Sequence, residues 1–299
     1  MDNVAVQLSD ALAGAVESVG ASVVRVEAGR GLPSSGVAWT ADLLVTVHHA
    51  IEREEGISIG LPDGSTAEAT LVGRDAPSDL ALLQVQGARL APARFDEGAA
   101  LKVGHLLLGV ARPGRTARAA LGIAAALGPD WRTPAGAKID RYLQLDIGRY
   151  PGFSGGAVAD ASGAVVGLST TGLVRGHILA VPTSTLRRVV GALQAHGHVR
   201  RGFLGVGVYP VRLPPELAQR AGQPGGALII SVQAGGAAEK AGVLLGDVLV
   251  ALDGKPVTEP ADLIGLLDED RIGERAVARL VRGGQLQDVP LTIGTRGEA

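Results

Sequence analysis

A mainly β protein of two domains is the fold class that this sequence predicts, on three observations. Short, partly β-branched apolar runs broken by Gly, Pro or Asp recur from residue 22 to residue 181, the pattern of successive strands joined by turns. Gly accounts for 44 of the 299 residues while aromatic residues make up 3%, which suits tightly turned strands built on small and aliphatic side chains. At 299 residues the chain is long for one domain and sufficient for two.

The elements follow in order. Leu8, Leu12, Val16 and Val19 fall on one side of a helix over 8–19, with Ser9 as its expected cap. The period then shortens, and strands are expected at 22–27, 36–40, 43–47, 57–61, 68–73 and 80–85. A second group follows within 102–111, 119–128, 142–147, 155–160, 164–170 and 177–181. In 183–197, Leu186, Val189, Val190 and Leu193 take helical spacing and Gly197 is placed to end the helix. The charged stretch 197–202 reads as a linker, so the domains are expected at 1–198 and 199–299. The second mixes strands near 203–208, 227–232, 247–252 and 275–281 with helices near 215–221 and 260–268.

Composition excludes several classes of function. With 28 basic against 30 acidic residues the net charge is -2, which provides no field to gather nucleic acid or anionic lipid. The absence of cysteine removes disulfides, thiol nucleophiles and thiolate zinc sites. His196 and His198 have no carboxylate or cysteine partner nearby in sequence, so no metal or other cofactor is expected. No run approaches the ~20 apolar residues of a membrane span, and the first 16 residues lack a basic segment. As it stands the chain is expected in the cytoplasm, or in the periplasm or cell envelope if a leader preceded it.

Three segments carry chemistry. In RYPGFSGGAV (149–158) a serine stands among glycines in a turn before an apolar strand. Such a bend exposes a hydroxyl, and the N–H groups of Gly152 and Ser154 are placed to aim at one oxyanion. A serine needs a base, and LLVTVHHAIE (43–52) supplies His48 and His49, which compete. The third group should be a buried carboxylate that orients the imidazole. Asp79 precedes an apolar strand and Asp75 is its rival, which lies before Pro77 in a turn-like stretch and is better placed to cap the loop.

The ordered segments Thr46 to His49, Ser78 to Leu83 and Pro151 to Gly156 resemble those of the HtrA (Deg) family of trypsin-like serine proteases. The resemblance covers about residues 20 to 295 and implies a chymotrypsin-like double β-barrel followed by an α+β PDZ domain. It implies His49, Asp79 and Ser154 as a catalytic triad, with Gly152 and Ser154 as the oxyanion hole. Arg149, Leu168, Thr170 and Gly172 fall at substrate-pocket positions, where Arg149 would favour a polar or acidic P1 residue or else turn to solvent. Residues 200–208 and 235–257 look like the family's PDZ module. Leu204, Gly205 and Val206 match its carboxylate-gripping loop, and Ile264 and Leu267 would wall the peptide pocket or else pack the core. The implied partners are polypeptide substrates and C-terminal peptides, the implied assembly a homotrimer, and the implied role protein quality control. Phe153 departs from the small polar residue usual in the family, which opens a second reading as a pseudoprotease or chaperone-like peptide binder.

Overall fold

Residues 3–295 are described in the computed structural model of the chain. Two compact units divide it, with the break between Val199 and Arg200.

The first unit opens with helix α1 (Val4–Gly20), capped by Asn3, whose side chain accepts from the Ala5 N–H at 3.1 Å. The expected cap at Ser9 is therefore displaced by one and a half turns, because Asn3 already satisfies an orphan donor upstream. Strands β1 (Val23–Glu27), β2 (Ser34–Ala38), β3 (Leu43–Val47), β4 (Ile57–Gly60), β5 (Thr66–Asp75) and β6 (Leu80–Gln86) close into an antiparallel barrel of order β1-β2-β3-β6-β5-β4. Next come β7 (Leu106–Ala111) and β8 (Arg118–Gly128), then a small hairpin of β9 (Trp131–Arg132) and β10 (Lys138–Ile139). With β11 (Tyr142–Leu145), β12 (Ala157–Asp160), β13 (Val165–Thr170) and β14 (Leu179–Pro182), strands β7 and β8 close a second barrel of order β11-β14-β13-β12-β7-β8. Taken from its first strand, this is the same circular order as the first barrel, so one topology occurs twice.

Alternation along each strand divides its residues between two cores. Leu44 faces the interior of the first barrel with Val24, Ile57, Ile59 and Leu83, while Val45 and Val47 face a shared core with Leu108, Val110, Leu168 and Val181 of the second barrel. Both faces of β3 are consequently buried, which is why its sequence reads as a continuous apolar run. Helix α2 (Thr183–His196) adds Leu186, Val189, Val190 and Leu193 to the shared core and ends at Gly197 in the left-handed conformation (φ 74°).

In the second unit, β15 (Gly202–Phe203) pairs with β22 (Gly294–Thr295) beside a sheet of β16 (Val206–Arg212), β17 (Gly225–Val232), β18 (Val248–Leu252), β20 (Arg275–Arg282) and β21 (Gln285–Thr292). The short β19 (Lys255–Pro256) pairs with β18. Helices α3 (Pro215–Ala221), α4 (Ala237–Lys240) and α5 (Pro260–Gly265) complete it. Helix α5 stops before 268: the Leu266 carbonyl accepts from Arg271 Nη1 at 3.0 Å and the Leu267 carbonyl from the Gly202 N–H at 2.9 Å. Those carbonyls have left the helical ladder for partners elsewhere in the unit. The buried Asp247 is held by Arg282 through two hydrogen bonds of 2.8 and 2.6 Å, a bidentate pairing. Burial works to raise the Asp247 pKa, but the hydrogen bonds from Arg282 and Leu244 outweigh it and hold the carboxyl below its ordinary value.

Candidate active site

Strand β3 ends at Val47 and the chain turns through a 3₁₀ segment, His48–Ala50, which directs the two histidines differently. The His49 ring turns toward Asp79, its Nδ1 2.8 Å from Oδ2 and 3.0 Å from Oδ1. The His48 Nδ1 is buried with no hydrogen-bond partner. His48 has its pKa lowered, first by burial and then by the Arg74 charge, whereas His49 has its pKa raised chiefly by the hydrogen bond with Asp79. Of the two histidines, His49 is the one in contact with Asp79.

Asp79 is 3% exposed and adopts the left-handed conformation at φ 57°, unusual for a residue with a Cβ. The surroundings hold it there. Its carbonyl accepts from the His48 N–H at 3.0 Å, Oδ1 accepts from the His49 N–H at 3.0 Å, and Oδ2 accepts from the Thr170 hydroxyl. Asp75 instead caps the turn, accepting from the Ser78 N–H at 3.1 Å and from its hydroxyl at 2.5 Å.

Ser154 and His49 open on the same cleft, a space of about 460 Å³ also lined by Gly152 and by Gly29, Gly31, Leu32 and Pro33 of the β1–β2 loop. The Ser154 hydroxyl is hydrogen-bonded to the Thr171 hydroxyl at 3.5 Å and makes no hydrogen bond with His49. Resting geometry of this kind tightens when substrate enters. Gly152 has φ 81°, and a Cβ there would collide with Pro113 and approach the Pro33 carbonyl oxygen to 2.8 Å, so glycine is required twice over. The N–H groups of Gly152 and Ser154 donate to no acceptor among the described residues. No group of three His, Asp or Glu residues that could hold a metal ion occurs among them.

A second, small cavity of about 20 Å³ beside Ser154 is lined by Arg149, Ile147, Phe153, Ser169, Thr171 and Ile178 among others. Of the residues expected in the substrate pocket, Arg149 lines this cavity, and Leu168, Thr170 and Gly172 do not. Leu168 and Thr170 lie on the opposite face of β13: Leu168 is fully buried in the shared core, and Thr170 reaches Asp79. Successive strand residues point to opposite sides, so the assigned residues are out of phase with the cavity by one. Gly172 is absent from that lining; its backbone lies against Asp79 and His49, so that a Cβ there would stand 2.9 Å from His49 Nδ1. Arg149 is exposed at the cavity's rim. Phe153 is 8% exposed, its ring 5.3 Å from that of Tyr150, and it is not among the residues lining the 460 Å³ cleft.

In the second unit, Leu204 is buried in the core, Gly205 takes φ 79° and Val206 begins β16. The N–H groups of Leu204 and Gly205 donate to no acceptor among the described residues. Ile264 on α5 is 38% exposed. Leu267 is 8% exposed within the core; α5 ends before it, and its backbone packs 3.3 Å from where a Gly202 Cβ would stand.

Twin antiparallel barrels with a His–Asp pair and a serine opening on one cleft define the trypsin-like class of serine proteases. Sequence comparison agrees, matching a trypsin-like peptidase domain over residues 34–168 and a PDZ domain over residues 202–293. The chain belongs to the HtrA family of trypsin-like serine proteases that carry a PDZ domain. It is 35% identical over 273 residues to a probable periplasmic serine endoprotease DegP-like of Ectopseudomonas mendocina (strain ymp), an alignment covering 88% of this chain and 56% of that one. It is 36% identical over 271 residues to the protein of the same name from Rhizobium meliloti (strain 1021), covering 87% and 53%. The chain thus spans about half the length of the curated relatives it matches. Among solved structures, the HtrA-type protease AlgW with decapeptide aligns at TM-score 0.73 and 26% identity over 96% of this chain and 99% of that one. The serine endoprotease from Yersinia pestis aligns at TM-score 0.71 and 26% identity over 95% and 97%.

Proposed function

We propose that the chain is a serine endopeptidase that cleaves unfolded or exposed polypeptide segments by acyl transfer, with Ser154 as nucleophile, His49 as general base and acid, and Asp79 as the group that orients His49. The observation that carries the reading is the 2.8 Å contact between His49 Nδ1 and Asp79 Oδ2 beside a cleft onto which Ser154 opens. With Nδ1–H donated to Asp79, His49 Nε2 is left as the proton acceptor. Ser154 Oγ attacks the peptide carbonyl as its proton passes to Nε2, and the unengaged N–H groups of Gly152 and Ser154 receive the developing oxyanion. Nε2 then returns the proton to the departing amine, leaving an acyl-serine that water hydrolyses by the same steps. The P1 side chain enters the 20 Å³ cavity walled by Ile147, Phe153 and Thr171, a space that favours a small residue.

The free N–H groups of Leu204 and Gly205 support recognition of a peptide C-terminal carboxylate by the PDZ domain, with Ile264 beside the peptide. A homotrimer belongs to the same reading; Val4, Val6 and Leu8, 75, 52 and 47% exposed at the start of α1, are side chains that a subunit contact could cover. The relatives' names favour the periplasmic alternative, a role in protein quality control belongs to the same proposal, and no helix among the described residues is long and apolar enough to cross a membrane. Digestion of unfolded casein tests the activity: fragments are expected with the unmutated chain and none with Ser154→Ala, and intact casein with both would overturn the reading.

A further inference from the structure

We infer that Ser35 is a positioning residue for the oxyanion-binding amides, its buried hydroxyl clamping the Gly152 carbonyl in a single orientation. The inference rests on the proposed roles of Gly152 and Ser154. Ser35 lies in β2 of the first barrel and is fully buried, with all of its polar groups engaged. Its hydroxyl donates to the Gly152 carbonyl at 2.8 Å and accepts from the Arg112 N–H at 2.8 Å. Its N–H donates to the Ser154 carbonyl at 3.1 Å, and its carbonyl accepts from the Thr46 hydroxyl at 2.7 Å. A single side chain and its backbone therefore grip the loop at residues 152 and 154, the two that contribute the oxyanion amides.

Peptide groups are planar, so the held Gly152 and Ser154 carbonyls fix the units 152–153 and 154–155, which flank the unit carrying the Ser154 N–H on both sides, while the unit carrying the Gly152 N–H joins the fixed 152–153 unit at the Gly152 Cα. Gly152, at φ 81°, has a glycine's wide backbone freedom to lose, and a fixed Gly152 carbonyl removes much of that freedom. The clamp is itself anchored. The guanidinium of Arg112, 6% exposed, donates to the carbonyls of Val23 at 2.7 Å, Gly20 at 2.8 Å and Arg115 at 2.9 Å, so the N–H that meets Ser35 is held by α1 and β1. On the other side, a Cβ on Gly155 would collide with the Ser35 carbonyl oxygen, which lets β2 and the serine loop approach to hydrogen-bonding range.

The test compares the full chain with Ser35→Ala and with Ser35→Cys, which keeps the volume while weakening the hydrogen bonds. Loss of one oxyanion donor in a serine protease costs about 10² to 10³ in kcat, and misaimed donors should cost about tenfold or more. The expected result on a fluorogenic peptide is therefore a fall in kcat of at least about tenfold, with KM within about twofold. The pH dependence set by His49 should not move, because the His49–Asp79 contact is untouched. Melting temperature is measured alongside. Folded variants with unreduced kcat, a loss confined to KM, a shifted pH profile, or loss of fold in both variants would overturn the inference. Reaction with a fluorophosphonate separates it from the reading it rests on. Equal labelling of the unmutated chain and the Ser35 variants removes only the positioning role, whereas no labelling of the unmutated chain removes both.

Discussion

The Asp79 carboxylate stands 2.8 Å from His49 Nδ1 and does so from a left-handed backbone at φ 57°. An aspartate in that conformation stores of order 1 kcal/mol of strain, and here the hydrogen bonds that hold it come from the histidines and from Thr170. The strain and the orientation of the imidazole are thus features of one local arrangement.

Replacing Asp79 with Asn keeps a residue that tolerates the left-handed region while removing the charge. The expected effect is a fall in kcat of about 10⁴. The contact with Asp79 is the largest cause of the raised His49 pKa, and the base must be neutral to act. Activity of the unmutated chain should therefore rise with pH through an apparent pKa above 6.5. In Asp79→Asn the inflection should move down, and a pH–rate profile that leaves it in place contradicts the assignment. The stability contribution has the opposite sense: it is present below the unfolded pKa near 6.5 and is lost as pH rises through the higher folded value.

Thr170→Val removes a hydroxyl that donates to Asp79 at a fully buried site while conserving shape. A hydrogen bond to a charged group contributes about 1.5 to 3 kcal/mol, so kcat should fall by roughly 10- to 100-fold with little change in KM. Kinetics showing a KM effect alone would return Thr170 to the substrate pocket.

Phe153→Ala should enlarge the 20 Å³ cavity that Phe153 helps to wall. Cleavage mapping on unfolded casein is expected to move from small P1 residues toward larger aliphatic ones, at a stability cost of about 3 kcal/mol. An unchanged profile with intact activity would place P1 recognition elsewhere.

Gly205→Ala puts a Cβ at φ 79°, 3.3 Å from Gly236 Cα, and should distort the loop whose free N–H groups we propose grip a carboxylate. Affinity for a peptide with a free C-terminus should drop about tenfold in a titration, and the C-terminally amidated peptide should bind poorly to both forms. Equal binding of free and amidated peptides would contradict carboxylate recognition.

His49, Asp79 and Ser154 were legible as candidates because each sits in a short motif at a strand end or turn. So was the end of α2, since Gly197 has little competition as a left-handed cap. The phase of β13 was not legible. Both of its faces are buried, so hydrophobicity carries no alternation to show whether Thr170 or Thr171 meets the small cavity beside Ser154. Leu267 was ambiguous because a leucine reads alike in a pocket wall and in a core, and the early end of α5 depends on Arg271 and Gly202 reaching its carbonyls. Ser35 offered no local sign, because its partners Gly152 and Arg112 lie 117 and 77 residues away.

Intact-protein mass spectrometry after incubation with a fluorophosphonate tests the central claim most directly. A single stoichiometric adduct should form on the unmutated chain, map to Ser154 and be absent from Ser154→Ala. An unmodified mass in the unmutated chain, or an adduct that persists in Ser154→Ala, would contradict a triad built on His49, Asp79 and Ser154.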